Sequence, residues 1–274
     1  MNGWSFDPLE ISVLALVAAL YARRAWTLAR RGRAVPRLRL AAFAAGLVTL
    51  FVALESPLDT IGEEHLFSVH MFQHLLLGDV GALLLVLGLD GRLLRPLLRI
   101  RVIHRLRVLG HPLVALPLWA VNFSVWHLPV LFDAALRNDA IHALQHTTFV
   151  FFGMLMWSAL IEPLPGPAWF TAPWKVPYVL GMWLVMLVLS QIFIWSNHVY
   201  YAPYAHDATL WGLSRLADQK AGGGVMLVES AFTMLPALVW VLLGVLRESE
   251  ARQRLLDSGV APAAAARAAR YGRA

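Results

Sequence analysis

The sequence predicts an all-α fold: a bundle of seven membrane-crossing helices, with the N-terminus outside the cell and the C-terminus in the cytoplasm. Three observations predict it. The 274 residues are 59% hydrophobic and only 15% charged, with a mean hydropathy of +0.62, whereas a water-soluble domain carries about 25% charged residues. Seven apolar stretches reach or approach the length needed to cross roughly 30 Å of hydrocarbon at about 1.5 Å per residue. The arginines gather in alternate connections, as they do in loops retained on the cytoplasmic side.

The stretches fall near residues 9–28, 37–55, 67–89, 112–132, 140–161, 176–195 and 225–246. The first carries Arg23 and Arg24 at its end, where long cationic side chains reach back to the interface. It follows a short acidic N-terminus without Lys or Arg, so it reads as a retained helix rather than a cleaved signal. The fourth holds Pro112 and Pro117, tolerated where neighbouring helices satisfy the freed carbonyls. Residues 196–224, rich in aromatics and glycine, form the longest outer segment and a cap over that face; Gly222-Gly223-Gly224 reads as a flexible entry to the seventh helix. Residues 1–250 make the transmembrane domain, and 251–274 a basic Ala/Arg-rich cytoplasmic tail.

Orientation follows from charge. Arg30, Arg31, Arg33, Arg37 and Arg39 lie in the first connection, and Arg92, Arg95, Arg99, Arg101, Arg105 and Arg107 in the third. The second holds Glu55, Asp59, Glu63 and Glu64 and no base. An odd number of spans with a basic tail requires the N-terminus outside, which is internally consistent. The net charge of +6 is accounted for by these loops, so the bilayer is the expected partner and nucleic acid is not.

The chemistry lies in the histidines. Of ten, only His104 and His111 fall in the basic loop; His65, His70, His74, His127, His142, His146, His198 and His206 lie at the outer end. Polar side chains at membrane depth are costly and default to a functional reading. His70 and His74 are i and i+4 at the start of the third span, so their imidazoles share one helix face about 6 Å apart. His142 and His146 repeat that spacing at the same end of the fifth span. Two pairs at matched depth, with His127 entering from the fourth span, point to a metal ion; single interhelical hydrogen bonds are the plainer alternative.

Without cysteine there is no thiolate, so ligands must come from His and Met. Imidazole suits copper, zinc, iron and nickel, and thioether selects Cu(I). Possible further ligands or supporting groups are Met226, Glu229, Asp79, His65, His198, Asp133 and Asp218. Asp79 is placed to orient an imidazole from behind. No catalytic triad or phosphate-binding loop is present, so no enzyme signature emerges and no catalytic residue is assigned.

The run His70-Met-Phe-Gln-His74-Leu-Leu-Leu resembles the core motif of the CtaG family. Trp126-His127-Leu-Pro129, Phe132-Asp133-Ala-Ala-Leu136, His142-Ala-Leu-Gln-His146, Trp211-Gly-Leu-Ser214, Asp218-Gln219 and Gly222-Gly223-Gly224-Val-Met226 follow in order. The resemblance runs from about Glu55 to Val245. It implies a polytopic protein of the bacterial inner membrane that assists assembly of the caa-type cytochrome c oxidase and serves its copper centre. Its partner would be an apo-oxidase subunit. Gly78-Asp79-Val80-Gly81 departs from the small and proline residues expected there.

The leading expectation is therefore an assembly factor that holds copper at the outer face and delivers it. Zinc is the alternative ion. A b-type haem electron carrier would also use paired helical histidines, but at two depths rather than one. A metal transporter would need polar groups through the membrane thickness, for which Asp79, Asn122 and Gln191 are candidates.

Overall fold

A computed structural model describes residues 3–205 and 210–271. Helix makes up 82% of the chain, with no strand among the described residues. Among the described residues, ten helices of eight or more residues follow in order: α1 Pro8–Arg30, α2 Arg37–Glu55, α3 Pro57–Glu64, α4 Phe67–Leu87, α5 Pro112–Trp126, α6 Pro129–Leu136, α7 Asp139–Ile161, α8 Ala172–Trp195, α9 Arg215–Asp257 and α10 Pro262–Tyr271. Six of them are long and apolar enough to cross a membrane. The number rises to seven if α5 and the bent segment before it, Arg101–Gly110, form one span.

Local chemistry sets the starts. Asp7 caps α1 by accepting from the Leu9 and Glu10 amides at 2.7 and 3.2 Å, with Pro8 in the first turn, where its missing N–H costs nothing. Asn138 caps α7 through Ala140 and Ile141. The first turn of α4 has no cap from its own chain neighbours. Asp218 of α9 supplies one instead, accepting from the Phe67 amide at 2.7 Å, the Ser68 amide at 3.1 Å and the Ser68 hydroxyl at 2.5 Å. The cap ties α4 to α9 across 150 residues of chain.

The helices depart from two of the expected stretches. The fourth stretch does not run unbroken over 112–132: α5 stops at Trp126 and α6 resumes at Pro129. Leu128, preceding that proline, is extended at φ −68°, ψ 132°, because the proline ring disfavours helical backbone at the residue before it. The seventh does not begin at 225. Helix α9 starts at Arg215 and runs 43 residues, taking in the Gly222–Gly224 run that reads as flexible entry in the sequence. These glycines are sites of close packing: a Cβ on Gly222 would lie 2.6 Å from the Phe67 ring, and one on Gly223 2.8 Å from the Ser190 carbonyl. Helix α9 continues past residue 250 to Asp257. Gly259, at φ +81°, turns the chain before Pro262 opens α10.

Helix α4 is the central element, packed by α2, α3, α7 and α9. Its apolar window is 67% buried against 11% for α1. Midway it carries one π-helical turn, Leu76–Gly81, the kind of local widening that recurs at functional positions. Asp7 at the start of α1 donates its amide to Glu55 at the end of α2 at 2.8 Å. At the opposite end of the bundle the Tyr21 hydroxyl of α1 donates to the Gly88 carbonyl beyond α4 at 2.9 Å. The histidine pairs lie at the first of these ends, and Arg92, Arg95 and Arg99 at the second.

Candidate metal centre

Helices α4 and α7 bring His70, His74, His142 and His146 together. All four are buried, at 0, 4, 8 and 5% exposure, and one ring nitrogen from each falls within 4.8 Å of the others. Ring centroids are 4.2 Å apart within the first pair and 4.0 Å within the second, with 5.5 Å from His70 to His142 and 5.4 Å from His74 to His146. The i, i+4 spacing puts each pair on one face. Glycine lets the two faces meet, because a Cβ on Gly153 of α7 would collide with the Gly78 carbonyl of α4. Small residues at such crossings allow membrane helices to approach backbone to backbone.

Neighbouring groups fix the imidazole tautomers. The Tyr204 hydroxyl donates to the Gly62 carbonyl at 2.5 Å, so its oxygen accepts from His70 Nδ1–H at 3.1 Å. His142 Nδ1 lies 2.5 Å from Glu63 Oε1 and donates to it. Both rings therefore keep a lone pair on Nε2. A carboxylate behind a histidine is the arrangement that orients metal-binding imidazoles. His142 Nε2, His146 Nε2 and His74 Nδ1 are buried and have no hydrogen-bond partner among the described residues. Each orphaned polar atom costs about 1–3 kcal/mol, and a cation shared by the cluster removes that cost at several positions together. His70 Nε2 and His74 Nε2 stand 2.7 Å apart. Tetrahedral coordination at bond lengths near 2.0–2.1 Å needs about 3.3 Å between donor nitrogens, so this pair must open slightly around an ion.

His127, expected among the ligands, stands one ring further out. Its Nδ1 donates to the Phe123 carbonyl at 2.6 Å, its ring centre is 6.3 Å from that of His74, and its Nε2 is buried without a partner. The other candidates divide. Asp218 is committed to the start of α4 as described above. Asp133 faces Arg137 at 3.7 Å, and burial raises its pKa against the pull of that guanidinium. His65 lies 3.7 Å from Glu64 and is about a third exposed. His198 is exposed, and its carbonyl accepts from the Gln219 amide at 2.8 Å. Met226 is buried in the apolar core among Phe67, Met71 and Phe193. His206 lies outside the described residues.

Asp79 and Glu229 form a second polar site, deeper in the bundle. Asp79 accepts from the Trp157 indole at 2.7 Å and the Thr233 hydroxyl at 3.0 Å, and its carboxyl contacts that of Glu229. Both Glu229 oxygens are buried without a hydrogen-bond partner among the described residues. Asp79 is thus a partner of Trp157 and Thr233, with no hydrogen bond to an imidazole among the described residues.

Three contributors were not legible as site residues: Glu63, Tyr204 and Gln73. The Gln73 amide donates to the Ala53 carbonyl at 3.0 Å and to Asp59 at 2.6 Å, clamping α4 to α2 and α3 beside His74. Burial above all, then the Glu63 charge, pushes the Asp59 carboxyl up to about 6 against that hydrogen bond. A signal for Glu63 existed in the acidic turn just ahead of the first histidine pair. Tyr204 gave none.

These features define a multi-pass helical membrane protein with a buried four-imidazole cluster at one end. The family model described as cytochrome c oxidase caa3 assembly factor (Caa3_CtaG) matches residues 19–248, and the chain belongs to that family. Uncharacterized proteins of Mycobacterium bovis and Mycobacterium tuberculosis are each 27% identical to it over 259 residues, and one of Mycobacterium leprae is 26% identical over 263. Those alignments cover 87% of this chain but 38% of the relatives, so the chain spans less than two-fifths of their length. No solved structure matches.

Proposed function

We propose that this protein holds a copper ion on His70, His74, His142 and His146 and passes it to an apo-subunit of a cytochrome c oxidase. In this reading seven spans cross the bacterial inner membrane, the histidine end faces outward, and the C-terminus is cytoplasmic. The observation that carries it is the convergence of one ring nitrogen from each of four buried imidazoles within 4.8 Å, with His74 Nδ1, His142 Nε2 and His146 Nε2 unpartnered among the described residues. The donor set suits a cargo ion. Four neutral imidazoles bind copper without the thiolates that would hold Cu(I) too tightly to release. The arginines at the opposite end support the orientation, since basic loops stay cytoplasmic. Family membership supports the client.

The test is metal analysis of protein purified without chelator, comparing the natural chain with His70→Ala/His74→Ala. We expect about one copper per chain to fall below about a tenth, with helix content and melting temperature retained, since two of four first-row ligands are removed. Stoichiometric copper in a folded double variant would overturn the site. A haem reading is disfavoured by the packing, because rings 4.0 to 5.5 Å from their neighbours over a closed Gly78–Gly153 contact leave no slot for a macrocycle. The Asp79–Glu229 pair favours transport as a second reading, tested by copper uptake into proteoliposomes.

A further inference from the structure

The opposite end of the bundle holds a cavity of about 440 Å³ lined by Arg24, Arg31 and Arg33 from the α1 side and Arg92, Arg95 and Arg99 from the chain beyond α4. We propose that this cavity binds a phosphate-bearing anion, drawn either from an anionic phospholipid headgroup or from free phosphate.

Unmet donors carry the argument. Among the described residues, the carboxylate paired with a lining arginine is that of Asp90, taken by Arg92 through two contacts at 2.9 and 2.7 Å. Arg24 donates one nitrogen to the Arg92 carbonyl at 2.7 Å, while its Nε is buried without an acceptor among the described residues. Arg31, Arg33, Arg95 and Arg99 have no ion pair among the described residues. Guanidiniums do not lose their charge, so six in one cavity repel each other until an anion enters. Their planar forks match phosphate oxygens two at a time.

The cavity has a buried inner side, formed by Leu28 and the Arg24 Nε, and an exposed rim of Arg31, Arg33, Arg95 and Arg99. Leu28, at 4% exposure, packs there against Val35 and Leu93, both 6% exposed. Nearby, the Tyr21 hydroxyl bond to the Gly88 carbonyl ties α1 to the end of α4, and the Arg39 bond to the Leu87 carbonyl, 3.2 Å, ties α2 to it. Beside it the exposed Val13, Leu16 and Leu20 line the flank of α1, where acyl chains would lie. Basic pockets at helix ends are the usual receptors for anionic headgroups. This proposal does not rest on the copper reading.

The test is native mass spectrometry of the full chain in detergent, with separate additions of phosphatidylglycerol, phosphatidylcholine and inorganic pyrophosphate. We expect phosphatidylglycerol to survive activation that strips phosphatidylcholine. We expect Arg95→Gln/Arg99→Gln to weaken that binding about tenfold, the loss of two charge-assisted contacts. The charge-matched control Arg105→Gln/Arg107→Gln, whose residues lie outside the cavity, should leave it unchanged. Pyrophosphate that displaces the lipid identifies a soluble source, and lipid binding untouched by pyrophosphate identifies the headgroup. The proposal falls if neither anion binds in preference to phosphatidylcholine, or if both double variants weaken binding equally.

Discussion

The two ends of the bundle, separated by the 21 residues of α4 or about 30 Å, both concentrate nitrogen-rich side chains, yet they are opposite in chemistry. At one end imidazoles present lone pairs. At the other, guanidiniums present only N–H donors. Histidine can be held neutral with a chosen nitrogen bare, and here Glu63 and Tyr204 do the choosing for His142 and His70. Arginine offers no such choice. A cation site can therefore be assembled in the buried interior only from the first kind of base, and an anion site is the natural outcome of the second.

The comparison can be broken most severely at the helix crossing. Gly153→Val places a branched side chain against the Gly78 backbone, where even a Cβ does not fit. Overpacking of this kind costs about 1–3 kcal/mol. Metal retention should be lost and the melting temperature lowered, with phospholipid binding at the arginine end preserved. Metal retention equal to the natural chain's would show that the Gly78–Gly153 contact does not position the cluster.

A smaller effect is expected at Glu63→Gln, which removes the carboxylate behind His142. Supporting groups of this type are worth about 10–100-fold in metal affinity, and competition with a copper chelator measures it. Tyr204→Phe should cost less, about two- to tenfold, because the His70 Nδ1 donor loses one neutral acceptor. If Tyr204→Phe exceeded Glu63→Gln, the ranking of a charged above a neutral support would be wrong.

The mildest change concerns pH at the acidic rim. Asp59 has its folded value raised to about 6 against about 3.9 when unfolded. Its contribution to stability is complete below about 4 and is lost as pH rises to about 6, since the folded chain is the better proton binder. Asp59→Asn, which keeps an oxygen for Gln73, should thus stabilise the protein by about 1–2 kcal/mol at pH 7.5 and far less at pH 4. Equal gains at both values, read by thermal unfolding, would remove titration as the cause.

How much of this was legible differs by scale. The apolar stretches and the arginine distribution marked the helices, and the breaks that misled were conformational. The chain broke after Trp126 because Leu128, ahead of Pro129, is extended, and the Gly222–Gly224 run looked like a hinge because glycine signals either freedom or close contact. The pairs His70/His74 and His142/His146 were visible because i, i+4 is a property of one helix. His127 carried the same residue type at a similar depth, yet its Nδ1 is held by the Phe123 carbonyl and its ring stands beyond the four. Asp218 looked like a ligand and is a helix cap.

By itself, then, the sequence determined the membrane solvent, the helical periodicity and which end of each helix carries histidine or arginine, because these depend only on composition and on spacing along one helix. The tertiary structure alone decided which imidazoles meet, which nitrogen of each is bare, and that Asp79 faces Glu229 rather than a histidine. Those outcomes depend on distances between segments some 70 to 150 residues apart in the chain. A backbone approach such as that of Gly78 to Gly153 sets such distances, and no local pattern encodes it.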